Sequence, residues 1–503
     1  MSRSMLKSRE FWGLATGAGF FLALVLSPPL AGLTRPAQNA AAVAALMACF
    51  WIGEVIPIYA TALFPIVLFP LLGVLDAKAV TAPYADQVVF LMMGGFMLAE
   101  AMGRWGLHRR IALHAIRASG STPSAVILGF MAATGFLSMW MSNSATAVMM
   151  LPIAVSVARR LQGAATPEDM KPDAFSAALM LAIAYSASIG GVATLVGTPP
   201  NAILAGQVKT IFPQAPEIFF DQWMRLGLPV AVAMIAIAWL MLTRVIFPLH
   251  QQKLNISRGL IFDELIDLGP MTRGEKTVLA VFTVTACLWI FRQLWSRWLP
   301  AAASVHDSTI AVAAALALFL IPVDLEKREF ALDWNSARRI PWGVLILFGG
   351  GFALAAGLQQ SGFAQWAASH LASLHHLPIL AIIIIVCLLM TFLTEVTSNT
   401  AVATMMMPIM ASTAVALQVH PFMLMMPAAI SASCAFMLPA GTPPNAIVFG
   451  SGLIRLPQMA RAGIWLNLIG VIVISLTVYF LAGIAFHVDI STLPAWAVLD
   501  GVK

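Results

Sequence analysis

Charged residues make up only 10% of this 503-residue chain, where soluble domains carry about 25%. So little charge excludes an ordinary water-soluble domain. No lysine follows a glycine, so there is no phosphate-binding Walker loop, and no histidine precedes a glutamate, so there is no HExxH zinc site. Hydrolysis-driven pumping and zincin-type proteolysis are unsupported, and nothing marks the chain as an enzyme. Four cysteines (Cys49, Cys287, Cys387 and Cys434) lie in apolar stretches without metal-ligand spacing and read as buried thiols.

What the chain has instead is hydrocarbon: 60% hydrophobic residues and a mean hydropathy of +0.88. This is an all-α polytopic membrane protein, with the lipid bilayer as its solvent. Apolar stretches that can cross a bilayer, roughly 20 residues each, fall at 11–33, 39–55, 57–75, 88–103, 224–247, 275–296, 308–322, 342–358 and 462–487. Three more, 124–158, 173–212 and 378–456, are broken by polar residues or by Pro and Gly. The first stretch follows Arg3, Lys7 and Arg9 but lacks a small-residue cleavage site, so it is expected to be a retained span.

The basic balance is tested against the positive-inside rule. With the N-terminus inside, and 124–158 and 378–413 as re-entrant hairpins, 21 of the 28 Lys and Arg fall inside and 7 outside. That bias explains the charge without an acidic macromolecular partner such as nucleic acid. It gives about 11 transmembrane helices plus two hairpins in the cell inner (plasma) membrane, with a cytoplasmic N-terminus and the C-terminus outside.

The chain repeats itself. GGFMLA (94–99) echoes GGFALA (350–355), and MSNSATAVMMLPI (141–153) echoes TSNTAVATMMMPI (397–409), both shifted by 256. GTPPNAI stands at 197–203 and again at 441–447, shifted by 244. Three landmarks in one order mean an internal duplication. On the assigned topology the halves run oppositely, so an N-terminal region (1–38) precedes inverted repeats at 39–255 and 275–487 and a tail at 488–503. Inverted repeats with interrupted helices in matching places are a transporter signature, with the substrate near the midplane.

Proline suits the first turn of a helix and cannot continue one. Each GTPPN is therefore expected to break a helix, the first half ending at Gly197 or Gly441 and the second starting at the prolines, with Thr as N-cap. Carbonyls freed there would face a cation and the new N-terminus an anion. Ser142-Asn143-Ser144 and Ser398-Asn399-Thr400, with Ser138 and Thr394 four residues before each triplet, add neutral hard oxygens suited to sodium. Such residues also pack membrane helices, but a matched set in two halves argues for binding.

Other polar residues carry less. Glu54 is expected at the inner interface and Glu100 beside Arg104, one turn away. Glu395 either supports its hairpin or carries a proton. Met149, Met150 and Met405 to Met407 read as core filler, and His370, His375 and His376 as solvated residues of an outside loop.

The paired Ser-Asn-Ser/Thr hairpins, the TPPN breaks and the repeat resemble the divalent anion:sodium symporter family over about 40–487. The resemblance implies a first sodium site of Ser138, Ser142, Asn143 and Gly197, and a second of Thr394, Ser398, Asn399 and Gly441. Substrate carboxylates would meet Asn143 with Ser144 and Asn399 with Thr400, closed in by Thr198, Pro199, Thr442 and Pro443. It implies a homodimer that imports C4 dicarboxylates such as succinate, malate and fumarate, or citrate, with sodium by an elevator motion and with no cofactor beyond the coupling ions. Ser144 departs from the family's Thr. A dicarboxylate exchanger of the same fold and a sulfate:sodium symporter are the rival readings, and a channel would need a continuous polar pore.

Overall fold

The computed structural model describes residues 9–120, 122–163, 166, 169–249, 265–298, 304–371, 377–490 and 492–498. His375, His376, Lys503 and most of the polar loop 248–274 lie outside them. Chain order begins with α1 (Arg9–Leu26), α2 (Arg35–Gly53) and three short helices, α3 (Ile58–Thr61), α4 (Phe64–Leu71) and α5 (Ala77–Thr81). There follow α6 (Gln87–Arg104), α7 (Leu107–Ser119), α8 (Pro123–Ser138), α9 (Asn143–Gln162), α10 (Ala174–Gly191), α11 (Pro199–Ile211) and α12 (Phe220–Leu240). The second half holds α13 (Arg273–Ile290), α14 (Arg292–Trp298), α15 (Asp307–Leu320), α16 (Trp334–Ala337), α17 (Trp342–Gln360) and α18 (Phe363–Leu371). It closes with α19 (Ile379–Thr394), α20 (Asn399–Ala416), α21 (Phe422–Ser431), α22 (Pro443–Phe449) and α23 (Leu456–Phe486).

Seven of the described helices are long and apolar enough to cross a membrane, or eight if α13 and α14, bent by 77°, count as one span. Their outward faces carry large exposed apolar side chains, such as Leu240, Trp465, Ile472, Phe480 and Ile484, which water would not tolerate in such numbers.

Several expectations are corrected. The fold is mostly helical, as expected, but one short antiparallel ladder pairs β1 (Pro322–Asp324) with β2 (Glu329–Phe330). The apolar stretch 57–75 folds as α3 and α4, interrupted between Thr61 and Phe64, and 275–296 bends at Phe291. His370 stands on helix α18 rather than in a loop. Cys387 and Cys434 are buried, but Cys287 is exposed and Cys49 half-buried, since one face of an apolar helix can turn to lipid.

The recurring sequences lie on helices in the same chain order: α6 and α17, the pair α8 and α9 and the pair α19 and α20, and α10 with α11 and the shorter α21 with α22. A small core joins Met47 and Trp51 of α2 to Phe69 of α4 and Leu347 and Leu354 of α17. The larger core is shared by most of the other helices.

Ion pairs tie the ends. Arg104 meets Glu329 (3.2 Å) and Asp333 (2.8 Å), Arg110 meets Glu275 (2.7 Å), and at the opposite end of α15 Arg292 meets Glu217 (2.8 Å) and Asp307 (3.2 Å). Asp333 caps α16, and the Ser336 amide, then Arg104, hold its carboxyl below the usual carboxylate range. The expected Glu100 to Arg104 pair is not formed: Arg104 reaches the hairpin and Asp333, while Glu100 pairs with Arg339 at 2.7 Å. A helical neighbour one turn away loses to partners with freer geometry from another element.

Candidate functional site

Between α8 and α9 the chain turns in residues 139–142, and between α19 and α20 in 395–398. The facing helices are interrupted. α10 ends at Gly191 and α11 starts at Pro199, while α21 ends at Ser431 and α22 starts at Pro443. The breaks are therefore longer than expected, starting well before Gly197 and Gly441. Thr198 and Thr442 stand at the N-cap positions, yet neither side chain makes a capping hydrogen bond. Instead, Thr198 Oγ1 lies 3.2 Å from Ser433 Oγ, a direct contact between the two breaks.

An open helix end leaves backbone groups that must find partners. Asn201 Nδ2 donates to the carbonyls of Gly191 (3.2 Å), Val192 (3.1 Å) and Thr194 (2.8 Å), and Asn445 Nδ2 to those of Ala435 (3.1 Å) and Leu438 (3.0 Å). The asparagine of each TPPN thus holds its own loop. In the second half, Glu395 accepts from the amides of Phe436 (2.6 Å), Met437 (2.9 Å) and Leu438 (3.1 Å) and from Asn467 Nδ2 (2.7 Å). Four donors on one carboxylate favour the supporting role for Glu395. At the matching position of the first half stands Met139, whose carbonyl accepts from Thr194 Oγ1, and Thr194 in turn accepts the Gly197 amide at 3.0 Å.

Two nests of oxygen result. Ser138 Oγ lies 2.7 Å from Asn143 Oδ1 and 2.6 Å from the Ala187 carbonyl. The same end of the Asn143 amide lies 3.1 Å from the Ala187 carbonyl and 3.2 Å from that of Gly197. In the second half, Thr394 Oγ1 lies 2.6 Å from Asn399 Oδ1 and 2.9 Å from the Ala432 carbonyl. The Asn399 amide end lies 3.2 Å from the carbonyls of both Ala432 and Gly441.

An amide oxygen this close to two carbonyl oxygens is repelled unless a cation stands among them or the amide turns its NH2 inward. Turned, Asn143 and Asn399 donate to all three neighbouring oxygens. Each nest therefore fits a hard cation in one orientation and closes on itself in the other. Among the described residues, no group of three His, Cys, Asp or Glu offers a softer metal site.

The nests border one cavity of about 1130 Å³. Its walls include Ser142, Asn143, Ser144, Gly197, Thr198, Pro199, Ser398, Asn399, Thr400, Gly441, Thr442 and Pro443. Ser138 and Thr394 lie buried behind them. Ser142 Oγ accepts the Ala145 amide (3.2 Å) as the cap of α9, whereas Ser398 stands at the N-cap of α20 without a side-chain capping bond. Met149 packs against the large core, as expected, and also lines the cavity. Ala187, Ala432, Asn201 and Asn445 were not among the expected site residues. The two asparagines stood in the quoted motif, but a main-chain carbonyl leaves no mark in sequence. Glu54, the left-handed C-cap of α2 with φ of 50°, lines the cavity together with Glu100 and Arg339.

A profile described as the sodium:sulfate symporter transmembrane region matches residues 8–484. The chain is 43% identical over 477 residues to the sodium-dependent dicarboxylate transporter SdcS of Staphylococcus saprophyticus, covering 94% of this chain and 91% of the relative. It is 44% identical over 483 residues to SdcS of Staphylococcus aureus strain MRSA252, covering 95% and 92%. In fold it is similar to Neisseria gonorrhoeae MtrF, with TM-score 0.56, 13% identity and coverage of 92% of this chain and 98% of that one. The Alcanivorax borkumensis YdaH transporter gives TM-score 0.58 at 14% identity, covering 90% and 99%.

Proposed function

The chain belongs to the sodium:sulfate symporter family, and from that premise we propose that it is a secondary transporter carrying a dicarboxylate across the membrane with sodium. The single observation that carries the reading is the pair of matched oxygen nests opening on one cavity, whose contact distances at the amide ends agree to within 0.1 Å. The dicarboxylate is favoured over sulfate because relatives at 43% and 44% identity are named for that substrate.

In the proposed cycle, sodium enters each nest and is met by Asn143 Oδ1 with the Ser138, Ala187 and Gly197 oxygens, or by Asn399 Oδ1 with those of Thr394, Ala432 and Gly441. Each amide then directs its Nδ2 into the cavity, where Ser144 and Thr400 add hydroxyls and a substrate carboxylate can accept. Without sodium the amides turn over, and their oxygens face the anion. Sodium thereby supplies both charge and donor orientation, and the dianion binds only after it. The halves act as inverted repeats, and the hairpins and broken helices move as one body against the remaining helices of a homodimer.

Uptake of radiolabelled succinate into proteoliposomes under an inward sodium gradient tests this. Sodium-dependent uptake without internal substrate is expected, with competition by malate or fumarate. Uptake that ignores sodium and requires internal dicarboxylate would make the protein an exchanger.

A further inference from the structure

Away from the nests, three charged side chains line the cavity: Glu54, Glu100 and Arg339. Glu100 lies in the last turn of α6, and Arg339 stands just before α17, so the pair sits where the two repeated GGF helices bring an end and a start together. Arg339 donates from Nε (2.9 Å) and Nη2 (2.7 Å), both to Glu100 Oε1, and Nη2 also reaches Ser336 Oγ at 3.3 Å. Its side chain is 60% exposed and that of Glu100 25% exposed.

A guanidinium has five N–H donors in a fork that suits a carboxylate. Glu100 takes Nε and Nη2 through one oxygen and Ser336 meets Nη2, so these bonds fall on two of the three guanidinium nitrogens of a side chain that is mostly exposed. The pair is part-exposed and joined through one carboxylate oxygen, so the guanidinium is not enclosed by its partner.

We infer that Arg339 is a substrate-capturing residue at the mouth of the cavity, the cation that first engages an incoming or departing dicarboxylate. Arg339 is the cationic side chain among the lining residues, and without it the charged lining is two carboxylates that repel a dianion. Glu100 sets the strength of the hold. The arriving carboxylate takes the free donors, Glu100 reclaims the guanidinium, and the anion passes on to Asn143 and Asn399 rather than remaining trapped. The positive-inside count puts this mouth on the cytoplasmic side. The inference rests on the transport reading above.

The test is sodium-dependent succinate transport from the mouth side in oriented proteoliposomes, for the natural protein, Arg339→Gln, Glu100→Gln and the exchanged pair Glu100→Arg with Arg339→Glu. Each is measured at low and high potassium chloride with sodium fixed. Steering by one charge near a cleft is worth about threefold to tenfold at low salt and fades as salt rises. Arg339→Gln is therefore expected to raise KM by about that factor with maximal rate retained and to flatten the salt dependence, while Glu100→Gln lowers KM. The exchanged pair keeps the melting temperature but leaves KM raised. If the exchange restores the natural KM, or Arg339→Gln leaves KM unchanged, the pair is a strut and the inference falls. If the natural protein itself shows no sodium-dependent transport, the functional reading fails first.

Discussion

At the scale of single residues, asparagine carries two different tasks in this site. Asn143 and Asn399 set one end of their amides against the oxygens of the nests, whereas Asn201 and Asn445 hold the loop carbonyls of the breaks. Removing one ligand that meets a charge costs about 1.5 to 3 kcal/mol. Asn143→Ala or Asn399→Ala should therefore weaken sodium activation of uptake by about tenfold to a hundredfold, with the protein still folded. Unchanged transport in both variants would remove the site assignment. Asn143→Asp separates the two faces of the amide, since a carboxylate keeps an oxygen for the ion but has no N–H for the substrate. Sodium should still raise its melting temperature while succinate uptake is lost. Glu395→Ala leaves one buried and two half-buried amides without an acceptor, and a buried donor left unpaired costs about 1 to 3 kcal/mol. A clear drop in melting temperature is expected, and a variant as stable as the parent would show that the carboxylate does not support the break.

At the scale of elements, the breaks depend on how closely two stretches of backbone approach. A Cβ on Gly191 would stand 2.5 Å from Asn143 Oδ1 and 2.9 Å from the Gly197 carbonyl, and one on Gly197 would stand 2.5 Å from the Gly191 carbonyl. Backbone cannot yield there without opening the first nest. At Gly441 the nearest atoms are side chains, Ala435 Cβ and Glu395 Oε2, both at 3.0 Å. Gly197→Ala should therefore abolish sodium-dependent uptake at unchanged helix content, and Gly441→Ala should reduce it less. Equal effects, measured by uptake and circular dichroism, would mean that the two breaks are equally tight in the membrane. The repeat made the breaks legible, but not their length. Proline marks where α11 and α22 start, whereas the ends of α10 and α21 depend on Asn201, Glu395 and other distant partners.

For the whole molecule, sodium should behave as a ligand of the folded state only. Such a ligand at 100 times its dissociation constant stabilises by about 2.7 kcal/mol. The melting temperature is expected to rise in sodium over potassium, and to rise again with succinate only when sodium is present. A succinate effect of the same size in potassium would sink the order of binding proposed here. The two nests draw on hairpin and broken helix of the same half, while Thr198 with Ser433, and Tyr185 with the Phe436 carbonyl (3.0 Å), join the halves. Their stabilisation by sodium should therefore appear as one cooperative transition.

By itself the sequence determined that this chain lives in lipid and that three short motifs, the Ser-Asn and TPPN strings among them, recur in the same order. These follow from composition and repetition, which need no partner to be read. Only the tertiary structure decided that Ala187 and Ala432 complete the nests, that Glu395 anchors a loop 41 to 43 residues away, and that Glu100 pairs with Arg339 across the fold. A carbonyl oxygen is present at every position, and a carboxylate accepts from whichever donor is brought to it, so their roles arise only when folding chooses their neighbours.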